Sequence, residues 1–260
     1  MWIKELPKDF LNKTSYYNNV VFLWKSDDLP IYVSDNHLTA AWCWMQECEK
    51  GKEYNFMHID CHPDLKACGY PEILDFLKNN SKISFEEYRE LTYNNGQEYQ
   101  FFQWDNYIRA CHYVFPEWFN ANYFYVHNPI LSNVLSWGYK PFPYEKRDSK
   151  LLNEDISNFI EKRKYIDDVI DTKIKKGPWI VNLDLDFFWD ENKTKIYDTQ
   201  SISDIANSLK KAMGNIKVLT IALSPDCISG IRLEDKWRNV IEVLNIFNEE
   251  LGLSISLDNN

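Results

Sequence analysis

The chain has 260 residues, 45% apolar and 26% charged, as expected of a globular protein able to bury a large core. Its 39 acidic residues outnumber 29 basic ones, for a net charge of −10. That balance argues against non-specific nucleic-acid binding, which needs a basic footprint, and mildly favours a cationic substrate. No apolar run reaches the ~18 residues that suggest a membrane span. The six cysteines, at 43, 48, 61, 68, 111 and 227, include no CxxC pair, and Met1–Glu5 does not read as a signal peptide. Reduced thiols in a cytoplasmic protein are expected.

In chain order, residues 19–24 predict a first strand and Ile31–Val33 a short second one. Ser34-Asp35-Asn36 reads as a helix start, because short polar side chains can cap free N–H groups. The helix then runs from His37 to about Glu49, with His37 in its first turn. Tyr54–Asp60 predicts a central strand, and Pro71–Asn79 and Ser84–Thr92 predict helices, the latter with acidic residues in its first turn. Residues 93–96 read as a loop, Trp104–Val114 as a helix and Asn122–His127 as a strand. A connection over 138–150 leads to a polar helical region at 151–175. Pro178–Phe188 predicts a second strong strand and Ser201–Met213 a helix. Lys217–Leu223 predicts a strand, Leu233–Leu251 a helix and Leu253–Leu257 a last strand. Strands alternating with helices point to a three-layer α/β/α sandwich around a mostly parallel sheet. One domain over residues 1–260 is the simplest division, with room for a homo-oligomer.

The chemistry gathers at strand ends. His58-Ile59-Asp60-Cys61-His62-Pro63-Asp64 places a metal-competent side chain at every second position. Alternate residues of a strand share a face, and Pro63 ends the regularity. The group therefore sits at the C-terminal mouth of a strand, where parallel sheets bind ligands. Asp184-Leu185-Asp186 adds two carboxylates after an apolar run. Close buried carboxylates repel unless a cation compensates them. Asp226 follows a third strand, and His37 follows a fourth. His127 ends a predicted strand, whereas His112 reads as structural. His37, Asp60, His62, Asp64, Asp184 and Asp186 make four carboxylates and two imidazoles. This oxygen-rich set suits Mn²⁺ better than a structural Zn²⁺ site and exceeds the needs of one ion, so two ions are expected.

These residues resemble the binuclear ureohydrolase branch of the arginase–deacetylase superfamily. Asp60-Cys61-His62-Pro63-Asp64 is similar to its D-x-H-x-D motif, and Asp184-Leu185-Asp186 to its later D-x-D motif. Asp35-Asn36-His37 resembles its earlier D-H motif, with Asn36 inserted. The flanking Ser34-Asp35-Asn36-His37, His58–Leu65, Asp184–Phe188 and Ser224-Pro225-Asp226-Cys227 resemble the divergent branch that includes peptide arginases. The resemblance implies an arginase-like fold and a hydrolase converting arginine side chains of a ribosomally made precursor peptide to ornithine, with release of urea. It implies Asp60 and Asp184 bridging two Mn²⁺ ions, His37 and Asp64 completing one shell, and His62 and Asp186 the other. It further implies Asp226 gripping the substrate guanidinium, Asp186 relaying a proton, and His58 as a third catalytic residue, either a ligand or a support that holds a carboxylate in place. The expected partner is an arginine-containing peptide. Free arginine or a small guanidino compound, a Zn²⁺-dependent deacetylase-like amide hydrolysis, and peptide binding without turnover stand as alternatives.

Overall fold

Alternation of apolar residues along the central strands sets the architecture. The computed structural model describes residues 1–16, 18–66, 71–94, 98–126, 166–190 and 192–257. Among them β1 (Trp2–Lys4), β2 (Leu23–Lys25), β3 (Ile31–Ser34), β4 (Asn55–Asp60), β7 (Ala121–Val126), β8 (Trp179–Asp184) and β9 (Ile216–Ala222) form one sheet in the order β1-β2-β3-β9-β8-β4-β7. The five strands from β3 to β7 are parallel, and β1 and β2 add an antiparallel edge. A separate hairpin pairs β5 (Thr92–Asn94) with β6 (Glu98–Gln100).

Helices cover both faces. Met57, Ile59, Val181, Leu183, Leu219 and Ile221 point to one side. They pack against α5 (Ile166–Lys173), α6 (Thr199–Ala212) and α7 (Leu233–Leu251). Phe56, Ile180 and Val218 point to the other side, toward α1 (Ala40–Glu47), α3 (Phe85–Glu90) and α4 (Tyr107–Val114). α2 (Pro71–Asn79) lies beside α4. Each such side chain, wholly buried, contributes roughly 1.5–3 kcal/mol, and both layers are closed to water.

On the α1/α4 side the strand register stacks three rows. Phe56, Ile180 and Val218 lie side by side in an apolar row, and His58, Asn182 and Thr220 form a polar row one step nearer the C-terminal ends. Asp60 and Asp184 come last, at the strand ends. The fold thus brings two distant carboxylates to one mouth.

Several boundaries differ from the sequence expectation, each for a local reason. Residues 19–22 do not join the sheet, because the buried Asp35 carboxylate takes the N–H groups of Val21 and Phe22. The edge strand β1 was not anticipated from the sequence. The strand expected over 178–188 stops at Asp184, whose Oδ1 accepts from the Asp186 N–H and starts a 3₁₀ turn over Leu185–Phe188. The expected helix at 37–49 opens as a 3₁₀ turn, His37–Thr39, with Asn36 Oδ1 accepting from Leu38 N–H. Ser84 caps α3 in a reciprocal box with Glu87, and the chain turns extended at Leu91. Tyr93 and Asn94, expected in a loop, are paired in β5 with Tyr99 and Glu98, and positions 95–96 of that loop lie outside the described residues. Leu253–Leu257 forms no strand, since Gly252 (φ 70°) ends α7 and Asn248 ties the segment down through Leu253 N–H and the Ile255 carbonyl. The His127 expectation and those for 138–165 lie outside the described residues. No described helix is long and apolar enough to cross a membrane.

Candidate metal centre

The mouth of the sheet is built from four chain segments. β4 delivers Asp60, and the turn after it delivers His62 and Asp64. Asp64 sits in the left-handed region (φ 49°), which turns its side chain back toward the strand end. β8 delivers Asp184 and its 3₁₀ turn delivers Asp186. His37 comes from the turn after β3. Ser224, after β9, is also left-handed (φ 45°) and donates its hydroxyl to Asp184 Oδ2 at 2.6 Å. Side-chain-bearing residues at positive φ are uncommon and concentrate where function demands a fixed geometry.

Six of the side chains singled out by the sequence converge here. His37 Nδ1 contacts Asp184 Oδ2 and lies 3.5 Å from Asp64 Oδ2 and 3.8 Å from Asp60 Oδ2. His62 Nδ1 lies 3.1 Å from Asp186 Oδ2 and 3.6 Å from Asp60 Oδ1. Three overlapping groups could each hold an ion: His37 with Asp60 and Asp184, Asp60 with His62 and Asp186, and His58 with Asp60 and Asp64. Asp60 is common to all three. All four carboxylates are buried, while the His62 side chain is 34% exposed. The cluster therefore meets solvent on the His62 side.

The donor atoms are left without partners. Asp60 Oδ2, His62 Nδ1, both Asp64 oxygens and Asp186 Oδ2 are buried and make no hydrogen bond. The 3.1 Å His62–Asp186 approach falls outside hydrogen-bond geometry. Such atoms are costly inside a protein. The charges are equally strained. Burial and then the neighbouring acids push the Asp60 carboxyl well up; burial and Asp186 raise Asp184. Burial also lifts Asp64 to about 6. Burial would raise Asp186, but His62, the Cys61 N–H and His37 together bring it down. Burial would lower His37, but Asp64 and Asp184 push it up to about 10. His62 is raised in the same way, by Asp186. In metal-free protein the imidazoles hold protons where the carboxylates need positive charge. A divalent cation satisfies both the charge and the orphaned atoms.

Two expected site residues stand apart. His58 is wholly buried with both ring nitrogens engaged: Nε2 with the His62 carbonyl at 2.9 Å and Nδ1 with Asn182 Nδ2 at 2.9 Å. It belongs with Asp60 and Asp64 to one of the three groups and could ligate there by giving up the first bond. Asp226 belongs to none of the three groups. Its Oδ2 accepts from Thr14 Oγ1, Ser15 N–H and Ser15 Oγ at 2.8–3.1 Å. That oxygen is committed to the N-terminal segment. Asp35, in the D-H-like stretch, likewise serves backbone N–H groups. His112 packs on Phe119, away from the cluster.

Sequence reasoning missed the cluster's walls. Tyr107 and Trp104 stack on the His37 ring at centroid distances of 5.3 and 6.4 Å. The Cys227 thiol is pushed up by burial and by Asp186 and Asp184, which places it against the site. Ser224 and Cys227 lay inside a stretch already noted for its resemblance. Tyr107 and Trp104 carried no signal beyond helix spacing.

No protein-family model matches the chain, and no curated protein does. Among solved structures, the arginase of Helicobacter pylori is similar at 11% identity and a TM-score of 0.37, over 94% of this chain and 76% of that one. A likeness at that level fixes neither fold nor function. The α/β assignment stands on the seven-stranded, mostly parallel sheet itself.

Proposed function

We propose that this chain is a metal-dependent hydrolase of linear amidine C–N bonds, converting arginine side chains within a peptide to ornithine and urea. The observation that supports it best is the set of buried, unpartnered donor atoms on Asp60, His62, Asp64 and Asp186, gathered with His37 and Asp184 at one sheet mouth. His37, Asp60, His62, Asp64, Asp184 and Asp186 would hold two ions. The dominance of carboxylates favours Mn²⁺. Ions bound there would supply Lewis acidity and hydroxide at neutral pH.

The chain's own groups do the rest. Buried carboxylates attract a cationic guanidinium through the opening beside His62. Tyr107 and Trp104 hold His37 by stacking, and Ser224 holds Asp184. Asp186, whose Oδ2 is unpartnered beside His62, would carry a proton toward a departing amine. Asp226 would grip the guanidinium through the oxygen not used by Thr14 and Ser15. A peptide is favoured over free arginine because Leu65-Lys66-Ala67-Cys68, after Asp64, offers no evident set of groups for an α-amino and α-carboxylate pair.

The test is mass spectrometry of an arginine-containing peptide incubated with metal-stripped protein plus Mn²⁺, with Asp184→Ala as control. The expected result is the arginine-to-ornithine mass loss with urea in equal amount, absent in the variant. Urea from free arginine alone would remove the peptide assignment. No urea from either substrate despite bound metal would overturn the reaction.

A further inference from the structure

The polar row beneath the cluster forms a hydrogen-bond chain with a single allowed direction. Trp44 Nε1–H donates to Thr220 Oγ1 at 3.2 Å, and Thr220 Oγ1–H donates to Asn182 Oδ1 at 2.7 Å. Asn182 Nδ2 then uses its two protons as a fork, one to His58 Nδ1 and one to Tyr107 Oη, each at 2.9 Å. His58 Nε2–H donates to the His62 carbonyl at 2.9 Å. Tyr107 keeps its own proton, and beside it lies Asp64, whose two buried oxygens have no hydrogen-bond partner. Asn182, Tyr107 and His58 are essentially inaccessible to water, so no solvent molecule can repair a wrong orientation.

The direction follows by elimination. If the Asn182 amide were turned over, its oxygen would face His58 Nδ1, which would then have to carry the ring proton. A neutral ring protonated there would set a bare Nε2 against the His62 carbonyl, two acceptors in contact. With a neutral His58 ring, only the amide orientation with nitrogen toward His58 leaves every member paired.

We propose that Asn182 is the positioning residue of the metal centre, a buried fork that fixes His58 as its Nε2–H form and turns the Tyr107 proton toward Asp64. One arm pins the carbonyl of His62 and the other leaves the Tyr107 proton free for the Asp64 carboxylate beside it, so a single amide bears on two of the six candidate ligands. The inference rests on the metal-site reading and extends it below the ligands. Groups in this position are commonly worth about 10–100-fold in metal affinity.

The test uses Asn182→Asp, which keeps the shape and removes both donors. Metal-stripped wild type is first examined by ¹⁵N NMR of the histidine rings, which reports the tautomer without any metal. His58 is expected protonated on Nε2 and bare on Nδ1; a wild-type proton on Nδ1 overturns the proposal. In Asn182→Asp the ring proton is expected to move to Nδ1 or a second proton to appear there, with Mn²⁺ affinity, read by calorimetry, falling about 10–100-fold. Unchanged affinity with an unchanged His58 overturns it. Tyr107→Phe deletes only the second arm: affinity should fall while His58 stays as in wild type, and undiminished affinity removes that arm. Should Asn182→Asp fail to fold, the wild-type tautomer and Tyr107→Phe decide. Wild type that shows the expected tautomer but takes up no metal would instead sink the metal-site reading, so the two failures are separable.

Discussion

Two buried polar layers lie one step apart on the same strands and differ in one respect. In the lower row His58, Asn182 and Thr220 have their polar atoms paired. In the upper one, at the strand ends, Asp60, Asp64 and Asp186 keep buried oxygens with no partner. Burial is the same, so desolvation alone does not separate them. The lower layer is self-sufficient and acts as structure. The upper layer is incomplete with protein atoms only, which marks it as a receptor for something the chain does not supply.

The comparison is broken most directly at Asp60, the carboxylate shared by all three candidate groups. Asp60→Ala should abolish uptake of at least one ion, counted by elemental analysis, and lower hydrolysis by at least about 100-fold. Metal-free Asp60→Asn should melt no lower than metal-free wild type, because the neutral amide still accepts from the His62 N–H and ends the repulsion that pushes the Asp60 carboxyl up. A large loss of stability there would place Asp60 in the paired layer.

The protons of the upper layer give the next effect. His37 is raised from 6.5 to about 10, so its contribution to stability is complete below about 6.5 and is lost as pH rises toward 10. Metal-free protein should lose up to about 1.4 kcal/mol per pH unit for that proton across this window. A bound divalent metal would replace the proton and flatten the slope, which thermal melts with and without Mn²⁺ would show. Equal slopes would separate His37 from the metal.

Thr220→Val probes the lower layer and leaves Trp44 Nε1 and Asn182 Oδ1 without their shared partner. A cost of about 1–3 kcal/mol is expected in urea unfolding of metal-free protein. A neutral effect would show that the row is not the structural layer. Asp226→Ala should be the mildest, releasing Thr14 and Ser15 for roughly 1–2 kcal/mol while leaving metal content unchanged. A raised KM with unaltered kcat would support its contact with substrate; unchanged kinetics would confine it to the N-terminal segment.

Much of this was legible from residues alone. The His58–Asp64 stretch and the Asp184/Asp186 pair stand out because ionisable groups rarely follow an apolar run without reason; five of the six convergent side chains were within reach of that argument, and His37 was joined to them only by its place after a strand and by the resemblance. The bounds of Pro71–Asn79 and Leu233–Leu251 also agree between sequence and structure, since turn residues and helical spacing are local signals. Other features were not local. Val21 and Phe22 look like strand residues, and only Asp35 folding back on them removes them from the ladder. Asp184 and Asp186 were expected to share a strand face; a turn closed by Asp184 brings them together instead.

What the sequence by itself determined is the class of fold and the chemistry at its mouth, because side-chain period and donor type are written residue by residue. The tertiary structure alone decided which of those polar groups are satisfied. Asn182 and Thr220 read as ordinary strand residues until register sets them beside His58, and Tyr107 until α4 packs its ring on His37. Pairing depends on distance and direction between segments far apart in the chain, and those exist only after the sheet and its helices have come together.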